Sequence, residues 1–166
     1  VADDKLPACA KRSQPVEISI VGEADLPVML ELMRGYCDFY EASPEDERLL
    51  ALSRALIEDP RHEGVQLIAR DEHGIPLGFA TLYWSWSTSR AARLGTMNDL
   101  FVVPLARGRR VGERLIEACL ARCAEHGAEQ MEWQTARTNK SGQALYARVG
   151  GHREEWLSYS LDVPRR

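Results

Sequence analysis

Met97-Asn98-Asp99-Leu100-Phe101-Val102-Val103-Pro104-Leu105-Ala106-Arg107-Gly108-Arg109-Arg110-Val111-Gly112 is the stretch that decides how this chain folds. A β-rich apolar run stops at a proline. A short loop with two glycines and three arginines follows, and a helix opens near Val111. The first amides of a helix have no intrahelical partners and point outward, where the helix dipole adds positive potential. Gly108 and Gly112 let backbone approach a phosphate. Arg107, Arg109 and Arg110 add positive charge. Strand, glycine-bearing loop and helix N-terminus together predict a phosphorylated ligand held by main chain. A Walker loop needs Lys-Ser/Thr after its last glycine, whereas Glu113-Arg114 follows here. The three glycines of the dinucleotide fingerprint are also absent. On these residues alone, a basic surface turn before an amphipathic helix is an equal alternative.

A second segment changes the balance. Met131-Glu132-Trp133-Gln134-Thr135 reads as a strand with a polar end. Asn139-Lys140-Ser141-Gly142-Gln143-Ala144-Leu145-Tyr146-Ala147-Arg148-Val149-Gly150 reads as a short helix. In these two segments the chain resembles the GCN5-related N-acetyltransferase (GNAT) superfamily. Arg107 to Gly112 is similar to that family's acetyl-CoA loop, Arg/Gln-x-x-Gly-x-Gly/Ala. Asn139 to Gly150 is similar to its later motif, Asn-x-x-Ala-x-x-Leu-Tyr-x-x-x-Gly. Both stand in the family's order, one helix and one strand apart. Two positions depart: Arg110 replaces the inner loop glycine, and Gly142 replaces an alanine, which weakens that helix by about 1 kcal/mol. Asn98-Asp99-Leu100, Trp133-x-Thr135 and Leu145-Tyr146-x-x-Val149-Gly150 look closest to a branch of small enzymes acting on histones, polyamines or D-amino acids.

The resemblance implies an acetyl-CoA-dependent N-acetyltransferase acting on a primary amine by direct attack in a ternary complex. It implies a pyrophosphate on the Arg107, Gly108, Arg109, Arg110, Val111 and Gly112 loop. It implies a pantetheine arm added as a β-partner along Leu100, Phe101, Val102 and Val103, which requires a gap between that strand and Glu129 to Thr135. Tyr146 is the candidate general acid, since a phenol with a pKa near 10 suits a departing thiolate; packing beside Leu145 and Val149 is its other reading. Asn139 caps its helix, bonds the cofactor, or both. Asp99 is the available carboxylate for removing the amine proton, against a role in substrate binding or a structural hydrogen bond; Glu132 is a distant second. Asn98 and Asp99 are neighbours in a strand and should face opposite ways. Tyr36, Tyr40, Trp84 and Asn98 are candidates for the acceptor groove, where aromatics and acids would suit a cationic amine, with core packing as the alternative for the aromatics.

A length of 166 residues fits one domain. Residues 1–15 read as a polar, poorly ordered leader and 16–163 as the catalytic domain. The apolar content of 45% and charged content of 28% are ordinary for a globular chain. A net charge of −4 disfavours nucleic acid and suits a cationic acceptor. No apolar run reaches membrane-spanning length, and a cytoplasmic setting is expected. Cys9, Cys37, Cys119 and Cys123 lack metal-ligand spacing, so no metal is expected. Cys119 and Cys123 should face inward on one helix. A small-molecule amine is the favoured acceptor. A protein or peptide acetyltransferase, a non-catalytic acyl-CoA-binding regulator and an RNA-directed enzyme are the rivals.

Hydrophobic periodicity predicts strands at Glu17–Val21, Val65–Arg70, Pro76–Trp86, Gly95–Val103 and Glu129–Thr135. It predicts helices at 24–40, from Ser43-Pro44 to Ile57, from Val111 to Gly127, and from Asn139 to Val149. Ser85 to Arg93 reads as a polar loop. Glu154 to Asp162 alternates and reads as a final strand, whose edge and Trp156 make a homodimer reasonable. The fold class expected is α/β, a mixed, mostly antiparallel central sheet with helices on both faces.

Overall fold

The computed structural model describes residues 15–164. The leader expected at 1–15 lies outside them except for Pro15, and so does Cys9. The described chain forms two units, one ending at Gln134 and one starting at Thr135.

The first unit is built on a five-stranded sheet. Its strands are β1 (Val16–Ile20), β2 (Gly64–Asp71), β3 (Pro76–Ser87), β4 (Ala92–Val102) and β5 (Ala128–Glu132). They lie in sequence order; the first three pairings are antiparallel and the last is parallel. Helices α1 (Leu26–Phe39) and α2 (Asp46–Glu58) precede β2, and α3 (Val111–Glu125) joins β4 to β5. This is the mixed α/β sheet expected from the sequence.

Strand alternation assigns the two faces. Phe79 of β3 meets Tyr36 of α1 edge-on, at 6.0 Å between ring centroids. A Cβ on Gly35 would come within 2.8 Å of the Phe101 ring, so α1 lies close on this face. Val21, Met29, Leu32, Met33, Ile68, Phe79 and Phe101 form its buried core. The other face takes α3. A Cβ on Gly95 would stand 2.4 Å from Cys123 Sγ, and Leu82 and Trp84 share that side. The α3 stripe Val111, Leu115, Ile116, Cys119 and Cys123 is buried as the periodicity required. Burial pushes the Cys119 thiol up to about 12 and the Cys123 thiol up to about 11. These thiols are small core groups.

Three expectations need correction. The loop expected from Ser85 to Arg93 is confined to the turn at 88–91: β3 and β4 run on through Ser85↔Leu94, Trp86↔Arg93 and Ser87↔Ala92. Cross-strand contacts outweigh polar composition there, and the Arg93 guanidinium lies 4.9 Å over the Trp86 ring. Helix α2 does not start at Ser43-Pro44 but at Asp46, with Glu45 at the N-cap and no side-chain cap bond. Its first turn instead has Asp46 in an ion pair with Arg34 of α1. The final strand at Glu154 to Asp162 is absent from the structure: residues 151–164 carry no helix or strand. Alternation gives a segment a strand's pattern, but a strand also needs a neighbouring backbone.

The second unit holds one helix, α4 (Lys140–Arg148), followed by that extended segment. Asn139 caps α4 as expected, its Oδ1 accepting from the Gly142 amide at 3.0 Å.

Candidate active site

Strand β4 is the centre of the site, and its irregularity sets the geometry. Pairing with β3 runs Thr81↔Asp99 and then Leu82↔Met97, leaving Asn98 as an extra residue. This β-bulge shifts the alternation by one. Met97 shares a face with Leu82, towards α3. Asp99 shares a face with Thr81, towards α1. In an unbulged strand Asp99 would lie on the same side as Met97 and Gly95. Asn98 and Asp99 therefore do not point apart as expected, and Asn98 Nδ2 donates to Asp99 Oδ1 at 3.0 Å.

The bulge gathers several groups around one carboxylate. Tyr36 is held well above the ordinary phenol range by burial first, then by the charge of the neighbouring Asp99 and hydrogen bonding towards it. Tyr83, on the same face as Thr81, is pushed up to about 12 by burial and by Asp99. Burial also pushes the Cys37 thiol up, with Arg34 opposing and Asp99 and Asp38 adding to it. The tyrosines remain neutral donors at any working pH. Tyr40 lies tilted against Tyr36 at 4.9 Å between ring centroids and edge-on to Phe39 at 5.0 Å, and it is 46% exposed. Thus Tyr36, Tyr40, Asn98 and Asp99 come together, as a rim of aromatic and polar groups around a half-buried carboxylate. Tyr83 was missed in the sequence because only the bulge puts it beside Asp99.

Trp84 is held apart, on the α3 face. Its Nε1 donates to the Pro60 carbonyl at 2.9 Å, and its ring stacks on His126 at 3.9 Å with 8° between planes. His126 Nε2 is buried without a hydrogen-bond partner. Its imidazole is held below the ordinary value by burial, then by Arg93, Arg61 and His62. A depressed histidine favours the neutral form in the fold, so its contribution is complete above the unfolded value of 6.5 and fades as pH falls through it. Stability to urea should therefore drop between pH 7.5 and 5.5, and His126→Gln should flatten that drop. Equal slopes for the two proteins would exclude His126 as its cause.

Further along, β4 has only one neighbour. Its pairing with β5 ends at Thr96↔Glu132, while β4 continues to Val102. From Met97 to Val102 the strand has β3 on one side and no strand on the other among the described residues. An edge without a strand partner is what backbone recognition of an extended ligand requires. The edge runs through the 3-10 turn Pro104–Ala106 into the loop ahead of α3. Gly108 has φ 77, and Arg110 is the α3 N-cap at φ 64, ψ 13. Arg110 thus takes up a left-handed conformation natural to glycine, at a cost of about 1–2 kcal/mol. It holds an ion pair with Glu113, Nε to Oε2 at 2.6 Å, and that carboxylate is buried while the guanidinium is exposed. Arg107 reaches back to the Val102 carbonyl at 3.3 Å. The loop offers main-chain amides at a helix start with exposed guanidinium groups around them, an arrangement chemically suited to an anion. Glu113 as the partner of Arg110 was missed, although the spacing of three residues signals it.

In the second unit, Asn139 Nδ2 donates to Thr135 Oγ1 at 3.0 Å, and Ser141 Oγ donates to Asn139 Oδ1 at 3.1 Å. These bonds fix the first turn of α4, whose middle carries half-buried Tyr146. No group of three His, Cys, Asp or Glu among the described residues is arranged to hold a metal. No described helix is long and apolar enough to cross a membrane.

The profile described as the acetyltransferase (GNAT) family matches residues 29–151. The uncharacterized N-acetyltransferase YhfO of Bacillus subtilis is 33% identical over 144 residues, covering 86% of this chain and 95% of the relative. The D-amino-acid N-acetyltransferase HPA3 of Saccharomyces cerevisiae is 35% identical over 78 residues, 47% of this chain and 48% of its own. The aminoglycoside N-acetyltransferase AAC(6')-Iy, solved in complex with CoA, has the same fold: TM-score 0.78 at 20% identity, over 92% of this chain and 97% of that one.

Proposed function

The chain belongs to the acetyltransferase (GNAT) family, and on that premise we propose that it acetylates the primary amine of a small cationic molecule by direct attack in a ternary complex. It is an acetyl-CoA-dependent N-acetyltransferase. The observation that carries the reading is the β4 edge, unpaired beyond Thr96 and leading into the left-handed turns at Gly108 and Arg110. Leu100 to Val103 would hold the pantetheine arm through backbone groups. The amides from Arg109 to Gly112 would hold the pyrophosphate, with Arg107 and Arg110 beside it. Acetyl-CoA supplies an acetyl group activated as a thioester.

The chain's own residues do the rest. Asp99 accepts a proton from the acceptor ammonium, directly or through one water, leaving a nucleophilic amine. The Tyr36 hydroxyl and the Asn98 amide hold the Asp99 carboxylate in orientation. The faces of Tyr36 and Tyr40 attract the ammonium before it is deprotonated. Tyr146 gives its Oη proton to the departing sulfur, and Asn139 fixes the helix that carries it. The chain's net charge of −4 supports a cationic acceptor. An aminoglycoside acetyltransferase of the same fold is solved with sisomicin, an example of a small amine on such a scaffold.

Thiol release from acetyl-CoA tests this across polyamines, D- and L-amino acids, aminoglycosides and a lysine-rich peptide. Turnover is expected with a free small amine. Turnover with the peptide alone would replace the reading by protein acetylation. No release, with acetyl-CoA binding confirmed calorimetrically, would point to a regulator that only binds the cofactor.

A further inference from the structure

Strand β2 is buried along most of its length, and one of its residues does not suit that setting. Gln66 is 3% exposed, and Ser53 of α2 is 0% exposed. Three elements meet there at one sulfur: Ser53 Oγ and Gln66 Nε2 each approach Met33 Sδ of α1 at 3.7 Å. Gln66 Nε2 also donates to Thr81 Oγ1, its register partner on β3, at 3.2 Å. The other end of the amide is unpaired: Gln66 Oε1 is buried, and no protein group donates to it. Turning the amide over would only exchange an unpaired carbonyl for an unpaired NH2 group. Burial of such a group costs free energy that a leucine at this position would not incur.

Both polar residues line one cavity of about 60 Å³. Val21, Leu56 and Val65 are its buried apolar walls, and the exposed Ile20 and Pro60 stand at its rim. Its size is selective. One water needs roughly 10–15 Å³ of such space, whereas a benzene-sized molecule needs roughly 150 Å³. Its chemistry selects in the same direction. Among the described residues, none of the lining side chains is charged, so an ion would find no counter-charge. The only polar lining side chains are Ser53 and Gln66, which suit a small neutral donor.

We propose that this cavity is a hydration site, in which one water donates a hydrogen to Gln66 Oε1 and the other to Ser53 Oγ. The serine hydrogen is directed at Met33, so its oxygen keeps lone pairs to accept with. Water both donates and accepts, so it serves the Gln66 amide in either orientation. Two protein bonds lie within the two to four that buried waters typically make, and the rim leaves a path for exchange with solvent. The water turns an unpaired amide into a link between α2 and β2 where both touch α1. Met33 lies one turn before Tyr36, so this link supports the part of α1 that carries Tyr36.

A high-resolution crystal structure of the full chain tests the site directly. An ordered oxygen is expected within about 2.5–3.2 Å of both Gln66 Oε1 and Ser53 Oγ. No density between those two atoms, or density for a larger molecule, would overturn the proposal. Gln66→Leu gives an independent reading in solution, because leucine is similar in bulk and lacks the amide. With water bound, leucine deprives both the water and Thr81 of a partner. The Tm followed by circular dichroism should then fall by about 2–6 °C. In a dry cavity the same change removes only an unpaired carbonyl, and Tm should rise. A Tm at or above that of the wild type would overturn the water link.

Discussion

Tyr146→Phe is expected to slow acetyl transfer by about 10²–10³-fold, within the range that a positioned acid supplies, and to leave acetyl-CoA affinity unchanged. The substitution keeps the ring and its packing in α4 and removes only the hydroxyl. A departing thiolate is stabilised when a proton meets it, and a phenol hydroxyl carries a proton to give. The two quantities are measured separately: turnover from thiol release at saturating amine, and affinity from calorimetric titration with acetyl-CoA. Turnover at the wild-type level would remove Tyr146 from the chemistry and leave it a packing residue beside Leu145. Loss of affinity together with turnover would make it a cofactor contact rather than an acid.

Asp99→Asn is expected to lower kcat/KM for the amine by about 10–10³-fold at neutral pH, with acetyl-CoA affinity again unchanged. Asparagine preserves the shape and still accepts a hydrogen bond from Tyr36. It loses the charge that draws an ammonium and the basicity that takes its proton. The deficit should shrink as pH rises towards the amine's own value near 10, because a growing fraction of the acceptor then arrives deprotonated. A deficit constant across pH would mean that Asp99 binds the acceptor without acting as its base. No deficit would make it a structural partner of Tyr36 and Asn98. The same substitution should lower the Tyr36 titration, since the Asp99 charge and hydrogen bond both hold that phenol up.

The relation between these residues explains what a linear reading reaches. Local chemistry was legible. Gly127 ends α3 at φ 74 because only a residue without Cβ sits there without strain. Asn139 caps α4 because its short amide reaches the Gly142 amide. Cys119 and Cys123 are buried because a four-residue spacing keeps them on one side of a helix. Each depends on atoms only a few residues apart.

The errors share a physical cause as well. Ser85 to Arg93 looked like a loop, but strand length there follows from pairing with Leu94, Arg93 and Ala92 across the hairpin. Glu154 to Asp162 has a strand's alternation and no strand, because ladder bonds come from another segment. Trp84 and Tyr36 both looked suited to an acceptor groove, and they lie on opposite faces of the sheet.

By itself the sequence determined the order of elements up to α4, the sheet with helices on both faces and the cap of α4. These rest on periodicity and on conformational preferences carried by single residues. Only the tertiary structure decided that β4 loses its β5 neighbour after Thr96, and that the bulge at Asn98 turns Asp99 towards Tyr36 and Tyr83. Those two features arise from hydrogen bonding between strands distant in sequence. One residue of register there moves a side chain from one face of a sheet to the other, and nothing in the local sequence fixes that register.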